Sequence, residues 1–90
     1  MKIVYFGTPE YAVPTLEALA SDSRFEVTLV VTQPDRPAGR HHQLTPPPVK
    51  IAAERLGLQM YQPASLRNND MRRPLEDARA DFFVVAAYGR

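Results

Sequence analysis

The stretch Ile3-Val4-Tyr5-Phe6-Gly7, followed shortly by Val13-Pro14-Thr15-Leu16-Glu17-Ala18-Leu19-Ala20, decides the fold. Ile3 to Phe6 is an unbroken β-branched and aromatic run closed by glycine, the pattern of a strand buried on both faces in a parallel sheet. From there the period changes. Val13, Leu16 and Ala20, with Ala12 and Leu19 beside them, recur at three and four residues, the template of an amphipathic helix. Pro14 fits only in a first turn, where its missing N–H costs nothing, so the helix is predicted to start near Tyr11 to Val13. Ser21-Asp22-Ser23 ends it.

Outward from this unit the chain repeats the alternation. Phe25 to Thr32 is predicted as a second strand, ending at Gln33-Pro34-Asp35 because proline removes a ladder donor. From Gln33 to Pro48 the sequence holds five prolines and one glycine without periodicity, a loop of a length that is unusual in a compact domain and tends to be functional or mobile. Pro48 to Gly57 reads as a helix with proline at its start and glycine just past its end. A short strand is expected around Gln59 to Gln62, closed by Pro63. Ser65 to Ala80 should hold a third helix, but Pro74 would clash with the Asp70 carbonyl if that helix began early. A short helix starting near Pro74, or a kink there, is expected. Asp81 to Ala87 is a second apolar strand run, stopped by Gly89.

The order β-α-β-loop-α-β-α-β demands right-handed crossovers and a parallel sheet with helices on both faces. The fold class is therefore α/β, the first half of a Rossmann-like parallel sheet: four strands in the order 3-2-1-4 with two to three helices. In such sheets ligands bind beyond the carboxyl ends of the strands where the order reverses, here between the first and fourth. The site is predicted to be lined by Gly7, Thr8 and Pro9 and by Tyr88, Gly89 and Arg90.

Composition bounds what this sheet can carry. Ninety residues make one small domain or a piece of a larger one, and chains of this size bury only about 60–65% of their unfolded surface. The absence of cysteine excludes a disulfide scaffold, a zinc ribbon and a thiol nucleophile. Hydrophobic residues at 44% and charged ones at 23% place the chain among ordinary globular proteins rather than disordered ones. No apolar run approaches the roughly 20 residues of a membrane helix. The N-terminus lacks a small-residue cleavage site, so a cytoplasmic protein is expected. The net charge of +1 is uninformative, but between Gln33 and Lys50 it is +2, from Arg36, Arg40 and Lys50 against Asp35, with His41 and His42 besides.

Most chemical motifs are missing. Gly7 is followed by no second or third glycine in the dinucleotide-binding spacing, and no phosphate-cradling G-x-x-x-x-G-K-[ST] exists. Adjacent His41 and His42 on an extended loop point to different sides, and no metal is expected. No serine stands in a nucleophile-elbow context. Asp35 after proline reads as a turn former whose side chain accepts backbone N–H bonds. Arg40, behind Ala38-Gly39 at the predicted loop tip, carries the forked cation that suits phosphate. The residues alone leave phosphate recognition and simple solvation equally open for it.

Four segments carry a resemblance. Phe6-Gly7-Thr8-Pro9-Glu10-Tyr11-Ala12, then Thr32-Gln33-Pro34-Asp35-Arg36-Pro37-Ala38-Gly39-Arg40 continuing to Leu44-Thr45-Pro46-Pro47-Pro48-Val49-Lys50, then Gln62-Pro63-Ala64-Ser65-Leu66-Arg67, then Val84-Val85-Ala86-Ala87-Tyr88-Gly89 are colinear with the N-terminal part of the bacterial methionyl-tRNA formyltransferase family, which the chain resembles. The resemblance implies a partial formyltransferase N-terminal domain over residues 1–90, with residues 33–48 as an inserted, proline-rich basic loop. It implies transfer of a formyl group from 10-formyltetrahydrofolate to the amino group of methionine on initiator methionyl-tRNA, by a cytoplasmic enzyme that is monomeric at full length. The loop would enter the tRNA acceptor arm, with Arg36, Arg40, His41, His42 and Lys50 facing it. Tyr88, Gly89 and Arg90 would begin the folate pocket.

The sequence departs from that family in two places. His41-His42-Gln43 stands where the family is richer in Lys, Arg and Gly, which implies a shallower salt dependence of tRNA binding. Pro74 interrupts a helix that runs unbroken in the family. The family's catalytic Asn, His and Asp fall beyond the Tyr88-Gly89 segment, so the 90 residues are expected to be inactive by themselves. Two other readings remain at this stage: a stand-alone RNA-binding remnant, and a different folate-dependent formyl transferase or hydrolase domain.

Overall fold

A computed structural model describes residues 1–38, 43–64 and 71–89. Its main sheet has four parallel strands: β1 (Lys2–Gly7), β2 (Glu26–Val31), β5 (Met60–Tyr61) and β6 (Phe82–Ala87). They lie in the order β5-β2-β1-β6. Counting only these parallel strands, that is the expected 3-2-1-4. The helices are α1 (Val13–Ser21), α2 (Pro48–Arg55) and α3 (Arg72–Ala78), with a 3-10 turn over Glu10–Ala12 leading into α1. Pro14 and Pro48 both occupy the first turn of their helices. Gly57, at φ +72°, takes the left-handed conformation just past α2 that glycine adopts without a Cβ penalty.

Alternation along β1 builds two cores. Ile3 and Tyr5 face α1 and α2, packing with Leu16, Val49, Ala52 and Ala53. Val4 and Phe6 face the other way, with Met71 and Ala78 of the α3 segment. On β2, Val27 and Val30 join the first core while Leu29 and Val31 join the second. Strict alternation would not allow that grouping. The register slips between the pairs Ile3↔Val27 and Val4↔Leu29, leaving Thr28 as an extra residue, as in a β-bulge. The Thr28 hydroxyl donates to the Ile3 carbonyl at 3.2 Å across this irregularity.

One expectation needs correction. The Gln33–Pro48 stretch is not wholly without regular structure: β3 (Arg36–Ala38) and β4 (Gln43–Thr45) pair antiparallel, Arg36 opposite Thr45 and Pro37 opposite Leu44. A two-stranded ribbon is all edge, the setting in which a strand tolerates proline. The second apolar run is less buried than the first. Phe82, Phe83 and Val85 of β6 are 40%, 53% and 66% exposed, because within these 90 residues β6 is at the edge and the described helices pack chiefly over β1 and β2. In the third helical region Pro74 lies in the first turn of α3, as a short helix near it requires. The part of that prediction over 65–70 is outside the described residues.

Candidate functional site

The site grows from the end of β1. A Cβ on Gly7 would stand 2.8 Å from Cε2 of Tyr5 and 3.3 Å from Cβ of Ala12. The Tyr5 ring cannot swing away, since it is fully buried and its hydroxyl donates to the Ala12 carbonyl at 2.5 Å. Burial also pushes the Tyr5 hydroxyl pKa up, so it stays a neutral donor. A glycine is therefore what lets β1 turn sharply over its own tyrosine.

Thr8, next in the chain, ties four elements together. Its N–H donates to the Ala87 carbonyl at 3.0 Å and its hydroxyl to the Tyr88 carbonyl at 3.0 Å, which fastens the ends of β1 and β6. The same hydroxyl accepts from the Gln33 N–H at 3.3 Å, and the Thr8 carbonyl accepts from the Val49 N–H at 3.3 Å. Gly7-Thr8-Pro9 and Tyr88-Gly89 thus meet at the topological switch point. The Tyr88 ring stands edge-on to Phe6 with centroids 5.8 Å apart, and burial raises its hydroxyl pKa. Among the described residues, no atom outside Gly89's own chain neighbours lies within 4 Å of where a Cβ would be.

Beside the switch point stands the root of the Gln33–Pro48 segment. Asp35 does not accept backbone N–H bonds as a simple turn former would. Its carboxylate receives the Gln62 amide at 2.7 Å and the Lys50 ammonium at 3.2 Å. The Gln62 amide also donates to the Gln33 carbonyl at 3.0 Å. The Gln62 bond first, and the Lys50 charge after it, hold the Asp35 carboxyl below its ordinary pKa. Lys50, assigned from sequence to the tRNA-facing set, has a side chain only 19% exposed and engaged in this ion pair. Its charge is already matched inside the chain. Local pattern could not find the clamp, because Gln62 and Asp35 are 27 residues apart.

Arg36 opens outward from the clamp, its guanidinium 3.5 Å from Oε1 of Gln33. With Thr8, Pro9, Tyr11, Gln33 and Gly89 it lines a cleft of about 300 Å³. A cavity of about 360 Å³ between β5 and α3, lined among others by Thr28, Met60, Tyr61, Arg73 and Asp77, shares no residue with this cleft. Arg40, His41, His42 and Arg90, the other sequence-assigned site residues, lie outside the described residues. Among the described residues no group of three or more acidic or histidine side chains could hold a metal ion. No described helix is long and apolar enough to cross a membrane.

Comparison with known proteins agrees with this architecture. The formyl transferase family model matches residues 1–90. A methionyl-tRNA formyltransferase from Neisseria meningitidis serogroup C is 53% identical over 90 residues, which are 99% of this chain and 29% of the relative. One from Listeria innocua is 53% identical over 89 residues and one from Xylella fastidiosa 51%, each with 99% of this chain and 28% of the relative covered. The chain therefore spans about three tenths of the length of the curated relatives it matches. With the family model matched from Met1 to Arg90, the chain belongs to the formyl transferase family.

Proposed function

We propose that these residues are the N-terminal part of a methionyl-tRNA formyltransferase, moving a formyl group from 10-formyltetrahydrofolate to the amino group of methionine on initiator tRNA. The observation that carries this reading is identity of 53% sustained over 90 residues, the Gln33–Lys50 segment included, to relatives of that name. The folate derivative supplies the activated formyl carbon. This chain's own contribution is positional. The Tyr88-Gly89 backbone edge, fastened to β1 through Thr8, begins the wall against which a flat pterin ring lies. The segment rooted at the Asp35–Gln62–Lys50 clamp carries Arg36, Arg40, His41 and His42 toward the acceptor arm, with Lys50 as its footing.

Attack of an amine on a formyl group builds an oxyanion and releases a proton, so catalysis needs preorganised donors and a base. The resemblance assigns those to residues after Tyr88-Gly89 in the family, and this chain by itself is proposed to be inactive.

The test is direct. The purified 90-residue chain, given 10-formyltetrahydrofolate and methionyl initiator tRNA, should transfer no formyl group; turnover above background would overturn the assignment of catalysis elsewhere. In an enzyme that carries these 90 residues, Arg40→Ala should chiefly reduce the preference for initiator over elongator tRNA. An unchanged preference would return Arg40 to the solvent. Specific RNA binding combined with inactivity of every longer form of the chain would instead favour a stand-alone RNA-binding module.

A further inference from the structure

The edge of the sheet opposite β6 is only half built. β2 runs over six residues, Glu26–Val31, but β5 flanks it at two pairs alone, Val30↔Met60 and Val31↔Tyr61. The Val30 N–H donates to the Gln59 carbonyl at 2.9 Å and the Thr32 N–H to the Tyr61 carbonyl at 3.1 Å. Among the described residues no strand continues that ladder beside Glu26 to Leu29. Thr28, the extra residue of the bulge, is outside the β1 register as well. The chain before β5 does not fill the place, because it arrives from α2 with the Leu58 N–H tied to the Ala53 carbonyl at 2.9 Å. Two cavities flank the gap. One, of about 440 Å³, lies against Phe25, Val27 and Leu58 of the α1 and α2 core; the other, of about 360 Å³, lies against Leu29, Tyr61 and Ala78 of the opposite core. Thr28 and Gln59 line both, so the cavities stand on the two faces of the sheet and adjoin at its open edge.

An extended chain is the object that fits such a gap. Its backbone continues the ladder, and successive side chains point to opposite faces, one into each cavity. At about 3.3 Å per residue, the four positions from Glu26 to Leu29 accommodate about 13 Å of strand. The start of β5 closes the slot at one end, so an incoming strand stops there or turns away. Charge decides which end of a chain suits that stop. Arg73, in the first turn of α3, lines the smaller cavity together with Met60 and Tyr61. Its side chain is 86% exposed, and its partner carboxylate, Asp77, stands 3.9 Å away, at the limit of an ion pair. We propose that the outer edge of β2 receives the extended carboxyl-terminal residues of another polypeptide. The strand lies parallel to β2, as every neighbour in this sheet does, with its terminal carboxylate on Arg73 and its last two side chains in the two cavities. The slot faces the amino-terminal half of β2, away from the switch point, and stands independently of the formyl-transfer reading.

The experiment titrates the 90-residue chain with the hexapeptide Gly-Ser-Gly-Val-Leu-Leu, carrying fluorescein at its amino end, and reads affinity by anisotropy and position by amide NMR. The free acid should shift the Thr28, Leu29 and Gln59 amides and leave those of Gly7 and Thr8 in place. Capping the terminus as a carboxamide should weaken binding about fivefold, the upper end for an ion pair open to solvent, and Arg73→Gln should erase the difference between acid and amide. The unfolding midpoint of Arg73→Gln should match the parent's, since the side chain is 86% exposed. N-methylation of the last peptide amide or of the one before it should abolish binding at one of the two positions and spare it at the other, because alternate N–H groups face the ladder. Equal affinity of acid and carboxamide overturns the proposal. So do equal effects of the two N-methyl groups, absence of saturable binding, and shifts confined to Phe82, Phe83 and Val85 of β6, the mark of adhesion to an exposed apolar strand.

Discussion

β1 and β6 are neighbours on one ladder, paired from Ile3↔Phe82 to Gly7↔Ala87, and both are apolar runs ending near a glycine. They have opposite surroundings. Ile3, Val4 and Tyr5 are fully buried between helices on both faces, whereas Phe83 and Val85 keep more than half of their surface in water. An apolar run thus establishes that a segment is a strand, because β-branched and aromatic side chains suit a pleated surface. It does not establish what covers the strand. Covering depends on which helices pack over it, and α1, α2 and α3 pack over β1 and β2.

The contrast can be broken most forcefully by truncation. Ile3→Ala should cost about 2–5 kcal/mol, since it opens a cavity where the neighbours cannot collapse, while Val85→Ala should stay within about 0.5 kcal/mol. Chemical denaturation of both variants checks it, and equal losses would mean that β6 is covered in solution. Next come the two glycines. Gly7→Ala drives a methyl into the anchored Tyr5 ring and should cost about 1–3 kcal/mol. Gly89→Ala meets nothing within 4 Å and should change stability by less than about 0.5 kcal/mol. Thermal unfolding of the pair would read the difference directly, and a neutral Gly7→Ala would show that Tyr5 can yield.

A third variant acts on the seam between the strands. Thr8→Val keeps the shape of the side chain but removes the hydroxyl that joins the Tyr88 carbonyl to the Gln33 N–H. The loss should be about 1 kcal/mol, the net worth of an ordinary hydrogen bond with part-exposed partners left to water. Faster hydrogen exchange at the Gln33 amide, with the β1–β2 ladder unaffected, is the local sign to look for.

What the sequence revealed follows the same division. Period and punctuation located the parallel strands, the proline-led starts of α1 and α2, and the reversal that brings Gly7-Thr8-Pro9 to Tyr88-Gly89, because those features depend on neighbours in the chain. The Gln62–Asp35 bond was hidden, because it joins residues 27 apart in sequence. The β3–β4 ribbon escaped for a different reason: Pro37 in β3 argues against a strand unless the strand is an edge, and the edge is known only once the pairing is.

The smallest expected effect separates the seam from the segment root by pH. The Thr8 bonds involve neutral groups and should not respond to acid. Asp35 should, because its folded pKa lies below the ordinary carboxylate value of 3.8, held there by Gln62 and then Lys50. A depressed folded pKa means that the charged form is favoured by folding. The contribution is therefore complete above the unfolded pKa of about 4 and disappears as pH falls through the folded one. Below that point the Gln62 side-chain amide and the Lys50 ammonium lose their charged acceptor, and their NMR signals should shift together while the Thr8 and Tyr88 amides stay in place. Asp35→Asn should abolish this acid response and leave the strand-end signals as they are at neutral pH. Movement of both sets together in the parent would mean that the root and the seam form one cooperative unit, and that protonating Asp35 also loosens the turn that borders the cleft.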